Sequence, residues 1–142
     1  GGNTYTIPAT NLVALPFVLG SVPANTTTSM KFSDNALAVT PPRMNSIFKG
    51  SIVGISYRLS TAITAGGATA MKIQATNAGV IVWSPLTLTT ATANASYASQ
   101  SPNITTFVPA NGLGIDITTS ATFAPTTMDV ACILWLALDV YY

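Results

Sequence analysis

The sequence predicts an all-β protein, an antiparallel β-sandwich or jelly roll with an extended N-terminal arm. Thr, Val and Ile are abundant, while Glu and His are absent altogether. This composition favours pleated strands over helices. Short apolar stretches alternate with Gly, Pro, Asn and Ser, as in domains built from many short strands. The 142 residues fit one domain with a substantial core.

Residues 1–28 are predicted to be an extended arm or edge strands. Their apolar runs, residues 5–7 and 12–19, are broken or followed by prolines. Proline has no N–H for a central ladder, so these runs belong at a sheet edge or lie across another surface. The run 12–19 is too apolar for a free tail. It either closes the domain's own sheet or docks on a neighbouring subunit.

Residues 29–142 are predicted to form the sandwich domain. A turn at residues 33–35 predicts a hairpin over residues 30–39. The segments that follow it are predicted to form a three-stranded meander, with strands at residues 51–59, 68–75 and 80–83. Alternation in the first of these strands places its apolar side chains on one face, namely Val53, Ile55, Tyr57 and Leu59.

The second half of the domain begins with a low-complexity stretch, residues 84–102, for which we predict a persisting strand and then a long loop. Strands are predicted at residues 104–108, 113–117 and 128–140. Both faces of the last strand are apolar, and a strand of this kind is covered on both sides. One cover is the domain core, and a partner subunit is a candidate for the other.

Only 6% of the residues are charged, and the formal net charge is +1, whereas about a quarter of the residues of an ordinary soluble domain are charged. Monomers rely on charge to stay apart, so we expect much of this surface to be buried between subunits. The alternative is a hydroxyl-rich surface, as in many exported β proteins. The predicted contact residues are Tyr5, Ile7, Leu12, Leu15, Phe17, Trp135, Tyr141 and Tyr142.

Several classes of function are disfavoured by the sequence. The longest apolar run, residues 130–138, is far shorter than the ~20 residues of a membrane-spanning helix. Five scattered bases against four acids do not predict a nucleic-acid-binding surface. We therefore expect neither a membrane nor a nucleic acid as a partner.

The sequence also predicts a protein that is not an enzyme and that holds no cofactor or metal. The absence of histidine removes the usual activating base and the imidazole ligand, and the carboxylates are scattered. The single cysteine, Cys132, lies within the apolar run and is predicted to be a buried hydrophobe. A sugar-stacking platform of Trp83, Tyr97 and the two terminal tyrosines is an alternative use of the aromatic residues.

Three stretches of the second half carry a resemblance to a known group of proteins. They are FKGSIVGIS at residues 48–56 with TAGGAT at 64–69, YASQ at 97–100, and TFVPANGLGI at 106–115 followed by TSATFAPTTMDV at 119–130. Together they resemble small jelly-roll virion proteins of tailed bacteriophages, a group that includes head decoration proteins. The resemblance covers residues from about 48 to 140.

This resemblance implies a structural role on the outer capsid surface. It implies a decoration protein that assembles with copies of itself as a homotrimer, contacts the major capsid protein and cements neighbouring capsomers. The N-terminal arm would then reach an adjacent subunit or the shell. Two alternatives stay open: a subunit of an extracellular fibre or pilus assembled by β-strand addition, and a carbohydrate-binding jelly-roll module.

Overall fold

The computed structural model describes residues 11–32 and 43–139. Within these residues the chain forms two five-stranded antiparallel sheets, A and B, that pack face to face. The strands are β1 Leu12–Leu19, β2 Thr27–Ser29, β3 Met44–Asn45, β4 Gly50–Leu59, β5 Met71–Asn77, β6 Val80–Leu88, β7 Ala95–Ser99, β8 Thr105–Phe107, β9 Gly112–Thr119 and β10 Val130–Leu138. The predicted all-β sandwich is confirmed.

Sheet A has the strand order β1-β10-β4-β7, and β8 pairs with β4 next to β7. The edge strand β1 pairs with β10 along its whole length, from Leu12 opposite Ala137 to Leu19 opposite Val130. The apolar run of residues 12–19 therefore closes the domain's own sheet. This is the first of the two outcomes that its composition allowed.

Sheet B has the order β2-β9-β5-β6, and β3 pairs with β9 next to β2. Strands β5 and β6 form a hairpin through Ala78 and Gly79, both of which have positive φ. Glycine adopts this conformation without the steric penalty of a side chain. The side chain of Arg43 packs so closely on this turn that a Cβ on Gly79 would clash with its Nη2 atom.

The core lies between the inner faces of the two sheets. Sheet A contributes Phe17, Ile55 and Leu134, all with no exposed surface. Sheet B contributes Ile73 with no exposed surface, and Ile115 with 1% exposed. Burial of each such side chain stabilises the fold by about 1.5–3 kcal/mol relative to its exposure.

The predicted three-stranded meander is wrong. Strands β5 and β6 pair as predicted, but β4 lies in the other sheet between β10 and β7. The stretch 84–102 also contains β7, a strand that the sequence analysis did not predict. The predicted hairpin over residues 30–39 lies largely outside the described residues.

The predicted apolar face of β4 is also wrong at one residue, Val53. Leu136 pairs with Ile52 and Trp135 pairs with Gly54, so Val53 is an extra residue in the ladder. Such a bulge shifts the alternation by one position. Ile52 therefore points into the core at 1% exposure, and Val53 is only half-buried.

Across the described parts of the chain, no helix is long and apolar enough to span a membrane.

Candidate contact face on sheet A

The side of sheet A that points away from the core forms a regular array of side chains. Alternate residues of a strand face opposite sides, and the pairing register aligns the outward residues of β1, β10, β4 and β7 in three rows. We call this array the outer face of sheet A. Its rows are Ala14, Trp135, Gly54 and Ser99; then Pro16, Ile133, Ser56 and Tyr97; then Val18, Ala131, Arg58 and Ala95.

The outer face of sheet A is apolar over most of these positions. Two serines and Arg58 are the exceptions, and Arg58 carries the one charge of the array. Tyr97 is 71% exposed, and Trp135 is 36% exposed. Large aromatic side chains at the surface are typical anchors of protein contacts. The array therefore has the composition of an interface core.

Gly54 makes a groove in this face. With no side chain at this position, a cavity of about 390 Å³ opens between Tyr97 and Trp135. Trp135 Nε1 donates a hydrogen bond to Ser56 Oγ at 3.2 Å, which holds the indole beside the groove. A Cβ on Gly54 would lie 3.4 Å from the carbonyl oxygen of Ala98 and 3.4 Å from Trp135 Cβ. The chain could thus hold a methyl group there, but the groove would shrink.

The outer side of sheet B has the opposite chemistry. Thr118 Oγ1 lies 3.0 Å from Thr27 Oγ1 and donates to Gln74 Oε1 at 3.1 Å. Gln74 Nε2 donates in turn to Ser84 Oγ at 3.2 Å. This chain of hydrogen bonds crosses sheet B from β2 to β6. The polar groups of β2, β9 and β5 on this side therefore satisfy one another, and the large apolar side chains that sheet B exposes, Val80, Ile81 and Val82, lie on its edge strand β6.

A second group of exposed apolar side chains lies at one end of the sandwich. Ile47 is 82% exposed in the loop before β4, and Val108 is 59% exposed in the loop before β9. A backbone hydrogen bond of 2.9 Å from Ala110 N to Ser46 O joins these two loops. These side chains are carried by loop tips, whereas the outer face of sheet A is supported by a continuous ladder.

The structure brings two of the predicted contact residues together. Leu12 is 49% exposed at the start of β1 and lines the groove over Gly54 with Trp135. Leu15 is half-buried and points inward against the core. Tyr5, Ile7, Tyr141 and Tyr142 lie outside the described residues.

Phe17 requires a correction. It was predicted as a contact residue, but its side chain has no exposed surface. It lies on the inner face of β1, and its ring centroid is 5.4 Å from that of Phe32. Phe17 is therefore a residue of the chain's own core, because alternation along β1 directs it inward while Pro16 and Val18 point outward.

Trp135 is the one residue of the twelve in the face that the predicted contact set contained, and the largest of the missing residues are Ile133, Arg58 and Tyr97. Ile133 lies on the second apolar side of the last strand, and Arg58 lies on the side of β4 opposite its predicted apolar face. Tyr97 was considered with Trp83 for a sugar platform, but Trp83 lies in sheet B and packs against the core. The alternation of Tyr97 with small residues was the available signal for β7, and the low complexity of the region obscured it.

The titratable groups of sheet A do not form a reactive cluster. Burial raises the pKa of the Cys132 thiol from 9.0 to about 12. Burial also raises the pKa of Tyr57, and the nearby Cys132 adds to this shift; the Tyr57 hydroxyl donates to Ala93 O at 2.9 Å. Over residues 11–32 and 43–139, no three His, Cys, Asp or Glu side chains lie close enough to share a metal ion.

Comparison with known proteins adds no relative to this description. No protein-family model matches the chain, and no curated protein sequence matches it.

Proposed function

We propose that this chain is a structural subunit of a virion, a decoration protein that binds the outer capsid surface as an oligomer and contacts the major capsid protein. The observation that supports the proposal is the contrast between the two outer faces of the sandwich. One is an apolar array with two large aromatic residues. On the other, strands β2, β9 and β5 carry a hydrogen-bonded set of polar side chains, and the exposed apolar residues are confined to the edge strand β6. This pattern is expected of a subunit that has one face covered by a partner and the opposite face exposed to water.

The low charge of the chain supports the same proposal. With a net charge of +1, electrostatic repulsion between copies is weak and does little to keep apolar faces apart. The resemblance of residues 48–140 to small virion proteins then supports a virion as the assembly to which the chain belongs. The role needs no catalytic group, since a decoration protein acts by binding alone.

A fibre subunit that grows by strand addition is less well supported. Strand addition needs a long and unobstructed sheet edge. The edge strand β1 contains Pro16, which has no N–H, and the edge strand β6 contains Pro85 and shifts its register twice against β5. The other edges are strands of five residues or fewer, namely β7, β8, β2 and β3.

One observation favours a carbohydrate-binding module as a second candidate. Tyr97 and Trp135 flank the groove over Gly54, and paired aromatic rings can stack on a sugar. However, apart from Tyr97 the hydroxyl-bearing residues of the groove are Ser99 and Ser56, whose oxygen already accepts the indole N–H, and this is a small set for binding sugar hydroxyls. A glycan array with wild-type protein and Tyr97→Ala would separate this candidate from assembly.

The proposed function is tested on particles. Phage particles from the source of this chain are purified, and antibodies against the chain are applied with gold labels for electron microscopy. We expect label over the outer capsid surface, and antibodies pre-absorbed with purified chain serve as the control. Label on a tail or on free filaments, or no label on any particle, would contradict the decoration role.

A further inference from the structure

We propose that the outer face of sheet A is covered by the same face of a second copy, related by a two-fold axis that crosses the strands at the level of Ser56. This inference rests on the proposed function, because it names the partner that covers the candidate contact face. Four properties of the face support it: its area, its twist as one side of a β-sheet, its groove and its single charge.

The area of the face is close to what a stable contact requires. Four strands about 4.8 Å apart and on average about 26 Å long give a footprint of about 500 Å², where the length corresponds to eight residues, the mean for β1, β10, β4 and β7. Two such faces bury about 1,000 Å² together, the lower bound for a specific interface. An apolar patch of this size is at the upper end of what monomers expose.

The geometry of sheets favours a second sheet as the cover. Twisted sheets pack well on sheets of the same twist, with strands aligned within about 30°. Of the two outer faces of this chain, the one on sheet B is polar and hydrogen-bonded internally. Packing it on the apolar face would take the charged groups of Lys72 and Asp116 out of water. The apolar face of another copy avoids this cost.

The positions of Gly54 and Arg58 select the orientation of the second copy. Both residues lie on β4, two positions before and two positions after Ser56. A two-fold axis across the strands at Ser56 therefore places Arg58 of each copy over Gly54 of the other. The exposed Arg58 side chain then enters the groove between Trp135 and Tyr97.

This orientation also gives the charge of Arg58 a favourable environment. A guanidinium group over an indole or phenol ring gains a cation–π interaction, which strengthens as water is excluded. The other aligned arrangement has its two-fold axis parallel to the strands and brings the two Arg58 rows against each other. Like charges would then meet in an apolar contact, which is unfavourable.

The first test is the solution mass of purified wild-type chain by size-exclusion chromatography with light scattering. We expect a particle of twice the 14.6 kDa chain mass. Arg58→Glu should raise the dissociation constant at least about tenfold, because a carboxylate in the groove faces the negative ring surfaces. Lys72→Glu makes the same change of charge on the outer face of sheet B and should leave the mass of the dimer in solution unchanged.

A second variant tests the groove, and a crosslink tests whether the two sheet A faces meet at Ser56. Gly54→Ala, for which the chain itself has room, should weaken the dimer while circular dichroism stays unchanged. Ser56→Cys should be joined to its counterpart by a bismaleimide of about 10 Å, the separation of packed sheets. Thr87→Cys on sheet B is the control and should not crosslink.

The outcomes separate this inference from the proposed function. A closed trimer, or a dimer that Arg58→Glu leaves intact, would overturn the face-to-face pairing and would leave the assembly role standing. A monomer at all concentrations would overturn both. A dimer that both face variants weaken, with a Ser56 crosslink, would support the two-fold arrangement.

Discussion

Cys132 lies on the inner face of β10, opposite Phe17 in β1 and Tyr57 in β4. Its side chain is 2% exposed, so the thiolate would lose its hydration without gaining a charged partner. Burial therefore raises its pKa to about 12. The prediction of a buried hydrophobe at this position is confirmed. The prediction succeeds because the apolar run around Cys132 places it on the inner face of a buried strand.

This burial predicts a loss of stability at alkaline pH. In the unfolded chain the thiol ionises near its ordinary value of 9.0, and in the folded chain it ionises near 12. The stabilisation is complete below pH 9 and declines as the pH rises towards 12, because the unfolded state releases its proton first. The unfolding free energy should fall by up to about 1.4 kcal/mol per pH unit from this group.

Urea unfolding between pH 8 and 11, followed by circular dichroism, measures this dependence. Cys132→Ala is the comparison, since it removes the thiol and leaves the tyrosines that also titrate in this range. The variant should show a shallower decline than the wild type. Equal slopes for the two proteins would contradict the role assigned to Cys132.

At the scale of the element, β1 shows how one strand serves two surfaces. Phe17 and Leu19 point into the core, while Ala14 and Pro16 belong to the outer face of sheet A. Composition alone could not separate these roles, because both sides of the run are apolar. The register with β10 separates them.

The two sides of β1 should respond differently to truncation. Phe17→Ala should lower the unfolding free energy by about 3–5 kcal/mol, because it leaves a cavity in the core. Pro16→Ala, on the exposed side of the same strand, should change it by less than about 1 kcal/mol. Chemical denaturation of both variants measures the difference, and similar losses in the two would show that β1 is not packed as described.

The sequence predicted most of the strands and fewer of their partners. Alternation identifies a strand and its apolar side, as it did for β4 and β9, because that pattern is local. Which strands pair depends on contacts distant in sequence, and so β4 was wrongly joined to β5. The bulge at Val53 was also invisible, since it depends on the register with β10. Strand β7 was missed because Ala and Ser carry little apolar signal.

The candidate contact face was predictable only in part. Trp135 and Leu12 could be named because they are large apolar residues in runs that contain more apolar side chains than one core can bury. The places of Arg58 and Tyr97 beside them follow from the order β10-β4-β7, which no local pattern encodes. The groove depends on Gly54, and in the sequence this glycine is one of ten.

For the whole molecule, the arrangement places an apolar array on the outer face of sheet A and a set of hydrogen-bonded hydroxyl groups on the outer side of sheet B, whose exposed apolar residues lie on the edge strand β6. The few charges are distributed in keeping with this division. Lys72 and Asp116 lie on the outer side of sheet B, and Arg58 is alone among the twelve positions of the other face. Association through sheet A should therefore depend on apolar burial and hardly at all on long-range attraction between charges.

This dependence predicts that the assembly is insensitive to ionic strength. Between about 50 mM and 500 mM NaCl the screening length falls to less than half, which weakens contacts made by exposed ion pairs. Apolar burial is not screened, and a desolvated cation over an aromatic ring is screened little. The dissociation constant from sedimentation equilibrium should therefore change by less than about threefold. A tenfold rise with salt would mean that exposed charges hold the copies together, and the apolar face of sheet A would then be the wrong surface.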